Sequence, residues 1–281
     1  MQTIQTTLPR GIYSGSTCHR VAVLRPLTGR QEVEIGACVP DPRAVSRILA
    51  DRLIRVGGLE ALSARRVLLM SRGDRAHLLL TLRASMLGDV LRLTVACPNP
   101  ACCAPIPVVL SIQAVCASPP VAAPRQLSVS TPMGEVRIRV PTGEDDAIIA
   151  EADADADVDA LLWSRLLQQL GERSELSPDE WRRLPASVRV PVALRLARGL
   201  RGPMLSGRAQ CAACTAWREW RVEPAALLSA ELHGGAARIV DEIHALAWHY
   251  HWSEESILDL PRQRRWRYLA LLSQAMCEEK R

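Results

Sequence analysis

The opening of the chain reads as extended. Cys18–Pro26 (CHRVAVLRP) and Gln31–Ala37 (QEVEIGA) flank Leu27-Thr28-Gly29, whose composition marks a hairpin turn. The hydrophobic spacing then becomes helical. Asp41-Pro42 opens a helix that puts Val45, Ile48, Leu49 and Leu53 on one face, and Gly57-Gly58 ends it. A second helix is capped by Asp74, runs to Met86 and stops at Gly88. Val90–Ala96 is a strand leading into a cysteine pair, and Ala104–Ile112 is the strand leading out.

Ser118 to Pro124 is rich in proline and alanine and reads as a linker. Gln126–Ser130 and Glu135–Val140 alternate around Pro132-Met133-Gly134, which predicts a hairpin. Helices are expected over 161–170, 178–184 and 188–196. Ser177 is the cap of the second, with Pro178 at its first position and Glu180 completing a capping box. A strand near Leu205, the turn Cys-Ala-Ala-Cys at 211–214 and the strand Thr215–Val222 follow. The last fifty residues are helical: 224–232, then 237–250 with Ile239, Ile243, Leu246 and Ala247 on one face, and a short turn capped by Ser253. Pro261 opens a final helix to Met276. Its apolar stripe is Trp266, Leu269 and Leu272, ringed by Arg262, Arg264, Arg265 and Arg267 as a solvated rim.

Chemistry enters through the cysteines. Of nine, four fall in tight pairs, Cys97/Cys102 and Cys211/Cys214, each between two strands. Two such clips meeting on one ion make a tetrahedral zinc site with every position filled, hence structural. Cys103 is an alternative ligand to Cys102. Cys18, Cys38, Cys116 and Cys277 lack paired spacing. The start of the chain lacks a secretion signal and no apolar run has membrane length, so cytosolic synthesis with reduced thiols is expected, and no membrane association.

The net charge of +5 comes almost wholly from arginine, Lys280 being the only lysine. The acidic tract Glu151–Ala160 resembles a calcium loop, but Val158 and Ser164 stand where glycine and glutamate are needed, and a solvated helix start fits better. His249 and His251 are two apart and diverge on a helix. Glu144, Asp145 and Asp146 open a helix. With no nucleophile–base arrangement and no phosphate loop, a non-enzymatic protein without a small-molecule substrate is expected. A zinc-ribbon nucleic-acid-binding protein is the alternative, disfavoured because the acidic tract offsets the basic one.

Several segments resemble a known family. Ser71–Cys102 (SRGDRAHLLLTLRASMLGDVLRLTVACPNPAC), Leu8–Gly11 (LPRG), Arg25–Gly36 (RPLTGRQEVEIG), Ile138–Asp146 (IRVPTGEDD) and the second cysteine pair are similar to the T-even-phage-type base-plate protein family of contractile tails and phage-derived injection systems. The first cysteine pair departs from that pattern in its C-x4-C spacing and in Cys103, where glycine is usual. Ile243–Leu272 resembles the short E-type tail assembly proteins of contractile-tailed phages, through Leu246-Ala247, Tyr250, His251, Trp252, Ser253, Ile257, Leu258 and Trp266. The resemblance implies a role in assembling a tail, by chaperoning the tape-measure protein or the base-plate hub.

The expected architecture is α+β. Residues 1–117 carry the first zinc knuckle, 118–204 are an inserted hairpin-plus-helices unit, 205–235 complete the knuckle core, and 236–281 form a helical partner-docking module. Its expected contact residues are Trp248, Tyr250, His251, Trp252, Ile257, Leu258, Trp266 and Leu269.

Overall fold

The computed structural model describes residues 3–37, 41–117 and 126–279; the expected linker, Ser118 to Pro124, lies outside the described residues. The chain mixes helix and sheet and is α+β in class. Apart from β4, which has no counterpart later, it runs through one succession of elements twice. The first half is β1 (Ile4–Ser14), β2 (Thr17–Leu24), α1 (Gly29–Ala37), α2 (Pro42–Arg52), β3 (Leu53–Val56), β4 (Leu59–Glu60), α3 (Ala64–Leu68), α4 (Arg72–Leu87), β5 (Val90–Ala96), β6 (Pro105–Ser111) and α5 (Ile112–Val115). The second half is β7 (Leu127–Thr131), β8 (Gly134–Ile138), α6 (Gly143–Ala150), α7 (Val158–Leu166), β9 (Leu167–Leu170), α8 (Pro178–Arg183), α9 (Ala186–Gly199), β10 (Leu205–Gln210), β11 (Trp217–Val222) and α10 (Pro224–His233). A shorter third piece, α11 (Ala236–Tyr250), α12 (Glu254–Leu258) and α13 (Arg262–Glu279), ends the described chain.

In each half a hairpin receives a further antiparallel strand from the end of a helix, β3 on β2 and β9 on β8. Each half closes with a separate antiparallel ribbon, β5–β6 or β10–β11, that bears a cysteine pair at its tip. Each half also has its own core. Leu24, Leu49, Leu78 and Leu82 pack in the first, joined by Leu228 and Leu232 of α10. Val136, Ile138, Leu166 and Val192 pack in the second, where Trp163 and Trp181 stack with centroids 4.8 Å apart. Burying one such leucine stabilises by about 1.5–3 kcal/mol; the second core draws only on residues 127–196, whereas the first is completed by Ala225, Leu228 and Leu232 of α10. Residues 127–196 pack on themselves, while a smaller cluster joins Leu80, Leu91 and Ile112 to Leu205 and Leu227 across that segment. Among the described residues no helix is long and apolar enough to cross a membrane.

Three elements differ from the sequence expectation. Residues 29–37 form a helix and not a strand. Thr28 caps it: the Thr28 N–H donates to Gln31 Oε1 at 2.9 Å, and the Glu32 N–H donates to the Thr28 carbonyl at 3.0 Å. Glu32 and Ile35 must both face inward, each 1% exposed, and a spacing of three does that on a helix but not on a strand. The helix over 42–52 ends early, because Leu53–Val56 is needed as a strand on β2, and Gly57 turns the chain at φ +56°. Likewise 167–170 leaves the predicted helix to pair Leu167 with Ile138 and Leu170 with Val136.

Asp74 is not the cap of α4; Ser71 is. Asp74 is buried, and its carboxylate accepts the N–H groups of Arg10 at 2.8 Å and Gly11 at 3.2 Å and the Ser71 hydroxyl at 2.8 Å. It thereby ties the Leu8–Gly11 stretch of β1 to the start of α4. Burial still pushes its carboxyl pKa upward, against those donors.

Candidate metal centre

Each cysteine pair is held by a knuckle of backbone hydrogen bonds. In the first, the Cys102 and Cys103 N–H groups donate to the Asn99 carbonyl at 3.0 and 3.1 Å, and the Cys97 N–H donates to Ala104 at 3.0 Å. In the second, the Thr215 N–H donates to the Cys211 carbonyl and the Cys211 N–H to Ala216, both at 2.9 Å. Cys103 and Thr215 hold the same place, just past the second cysteine, with left-handed φ of +48° and +59°. Glycine is the residue free of strain there, which explains why Cys103 looks out of place in the sequence.

The two tips meet. The sulfurs of Cys97 and Cys214 lie 3.4 Å apart, those of Cys102 and Cys211 3.8 Å apart, and all four Sγ atoms fall within 4.8 Å of one another. Exchanging the two halves carries one of these contacts onto the other, as a two-fold axis through the site requires. A metal with thiolate bonds of about 2.3 Å holds tetrahedral sulfurs about 3.8 Å apart, so the four thiols fit one ion. Cys97 and Cys211 are buried, Cys102 and Cys214 half-buried, and Val95, Ile106, Ala209 and Ala216 pack around them. Cys103 is exposed and its thiol donates to the Pro100 carbonyl at 3.1 Å, away from the cluster.

The thiols differ electrostatically. The backbone N–H groups of Cys214 and Ala213 point at Cys211 and draw it down to about 7. At Cys97 an N–H from Asn99 pulls downward, but burial and the hydrogen bonds of the neighbouring thiols prevail and push it up to about 12. Four thiolates would fill the shell of a tetrahedral ion and leave no position on it for a substrate.

The C-terminal residues expected to meet a partner are not equally placed. Trp248 is 70% exposed and aligns with Val240 and His244 at four-residue spacing along the outer side of α11. His251 is exposed, in the left-handed turn that ends α11. Tyr250, Trp252 and Tyr268 form one aromatic cluster, with centroids 4.9–5.7 Å apart. Trp266 is exposed along one edge while its indole N–H donates to Glu242 at 2.8 Å. Leu258 and Leu269 are half-buried. Ile257 is fully buried inside the module, so it supports the fold and offers no surface.

Two arginines expected on a solvated rim lie inside. Arg262 pairs with Glu32 of α1, and Arg265 bridges Glu32 at 3.0 Å and Glu242 at 2.8 Å, all four nearly free of solvent. This closed network docks the C-terminal helices on the first half. Arg264 and Arg267 are exposed, as expected. The one local signal of it was Thr28-x-x-Gln31, a capping-box spacing that makes α1 a helix and turns Glu32 inward. Comparison with family models, curated proteins and solved structures returns no match for this chain.

Proposed function

We propose that the four thiolates hold one structural zinc ion that braces the two ribbons, and that the chain works by protein docking, as an assembly factor or minor base-plate or hub component of a contractile phage tail or phage-like injection system. Zinc suits four soft thiolates in a tetrahedron. The tail role comes from the motif resemblance, with the tape-measure or hub protein as the partner, held in the cytoplasm of the producing cell. The single observation that carries the docking role is the Val240–His244–Trp248 stripe, an exposed line of valine, histidine and tryptophan on a module otherwise anchored by buried ion pairs.

Beside α4, His77, Asp89 and Cys116 line a cleft. Burial draws the His77 imidazole down to about 4 and, with Asp89 nearby, pushes the Cys116 thiol up to about 12. Neither an imidazolium nor a thiolate is therefore available near neutral pH.

The test is co-expression with the tape-measure and hub proteins of the same tail. The full chain is expected to co-purify with one of them, and Trp248→Glu, at an exposed site, to weaken that complex at least about tenfold while the melting temperature stays unchanged. Absence of a complex with either protein defeats the proposal. The nucleic-acid alternative has one observation in its favour, Trp217 exposed on β11 under the Arg208 guanidinium at 5.2 Å. Tight, sequence-specific binding that survives moderate salt would favour it; weak binding lost as salt rises would not.

A further inference from the structure

Two helix starts in this chain are gripped in one way. In the first grip, Ser63 caps α3, the Met70 carbonyl accepts the Gly143 N–H at 3.3 Å, and Ser71 is bridged to Thr142. Arg72 pairs with Asp146, and the Arg75 guanidinium lies where a Cβ on residue 143 would be. In the second, Ser253 caps α12, the Leu260 carbonyl accepts the Gly29 N–H at 3.2 Å, and Pro261 is bridged to Thr28. Arg262 pairs with Glu32, and Arg265 packs on Gly29.

The held segments match as well. Each opens Thr-Gly, folds Gln31 or Asp145 back onto the threonine N–H, and carries a carboxylate, Glu32 or Asp146, one turn in. The glycine is needed because the arginine approaches it so closely.

The turn from α8 to α9 repeats the grip a third time. Ser177 caps α8. The Leu184 N–H donates to Trp181 at 3.1 Å, as Met70 does to Val67 and Leu260 to Ile257, each at 3.1 Å. The Arg189 N–H donates to Pro185 at 3.1 Å, as Arg75 does to Ser71 and Arg265 to Pro261. Leu184, Pro185 and Arg189 thus take the places of Leu260, Pro261 and Arg265, with Ala186 where the other two grips have an arginine.

This grip holds nothing. Among the described residues Pro185 has no bridge, and the Arg189 guanidinium has no hydrogen bond or ion pair. Pro185, Ala186 and Arg189 are exposed, whereas Arg75 and Arg265 are 5% and 0% exposed under their helix starts. The helix packed on α8, α7, is by chain order the counterpart of α2 and α11 and not of the held helices α1 and α6.

We infer that the α8–α9 turn is a docking seat for the helix start of a separate polypeptide, one that opens Thr-Gly and carries a carboxylate one turn in. Charge is complementary: Arg183 and Arg189 are exposed at the seat, and the two held starts bring Glu32 and the run Glu144, Asp145, Asp146. Both such starts in this chain are already held, so a closed second copy has none to offer. The seat lies outside the C-terminal module, and the inference stands apart from the proposed tail role.

The experiment uses the full chain and a fluorescent peptide copying residues 139–152, kept helical by a side-chain bridge on its outer face. Anisotropy is expected to show saturable binding. Asp146→Ala in the peptide and Arg189→Glu in the protein should each weaken it at least about tenfold, the latter without changing the melting temperature. No saturation up to about 1 mM peptide overturns the inference. So does binding that ignores Arg189→Glu, since the peptide would then have displaced a held start. A dimer of the chain alone that Arg189→Glu dissolves would make a second copy the occupant and overturn the assignment to a separate polypeptide.

Discussion

Glu32→Ala is expected to undock the C-terminal helices and to destabilise the protein by about 3–5 kcal/mol, the usual cost of removing one partner from a buried ion pair. Glu32 accepts from Arg262 Nε at 2.8 Å and from Arg265 at 3.0 Å. Its removal leaves one carboxylate, Glu242, beside two buried guanidiniums. Burial already draws the Arg262 pKa down, and Glu32 is the main group opposing that. A thermal melt should fall by roughly 10 °C, and limited proteolysis should release residues 236–281 while the two cores stay intact. Replacing Arg262 and Arg265 with methionine in the same variant should restore most of the loss, because the desolvation cost disappears with the charges. A Glu32→Ala melt that matches wild type would show that the network contributes nothing net.

Cys211→Ser is expected to take the metal content from about one ion per chain to none. The two ribbons share few other contacts at their tips: Cys97, Ile106 and Cys211 are the buried members of that cluster. Amide exchange over 90–111 and 205–222 should then rise by about a hundredfold or more, while the two cores stay protected. Metal affinity should also fall as pH is lowered. All four thiols must ionise to bind, and Cys97 at about 12 holds its proton far more firmly than Cys211 at about 7, so protons leave as metal enters. Mass-spectrometric metal analysis of the purified variant decides the matter: retention of a full equivalent of metal would sink the four-thiolate centre. Cys103→Ser, at an exposed thiol outside the cluster, should leave metal content unchanged.

Much of the local structure was legible in the chain because it is written within a few residues. Ser177 with Glu180 and Asp41 with Pro42 cap helices as expected, through side chains that reach N–H groups two or three positions on. The ribbon strands on either side of each cysteine pair also stand where alternation and turn residues put them. Gln31–Ala37 failed because its alternation imitates a strand, while the cap that makes it a helix lies at Thr28, inside what looked like a turn. The doubling of the fold was hidden in a different way. Its two halves share few identical residues, and what recurs is spaced signals: Thr28-Gly29 and Thr142-Gly143, Ser63, Ser177 and Ser253, and the two thiol pairs.

By itself the sequence determined which thiols come in pairs, where most helices begin, and that the chain is α+β, since each depends on hydrogen bonds and spacings only a few residues long. Only the tertiary structure decided that Cys97 faces Cys214 and Cys102 faces Cys211, and that Arg262 lies buried against Glu32, 230 positions away. Burial of a charge or a thiol is a property of the partner that covers it, and that partner is chosen by the packing of whole elements, which no local pattern encodes.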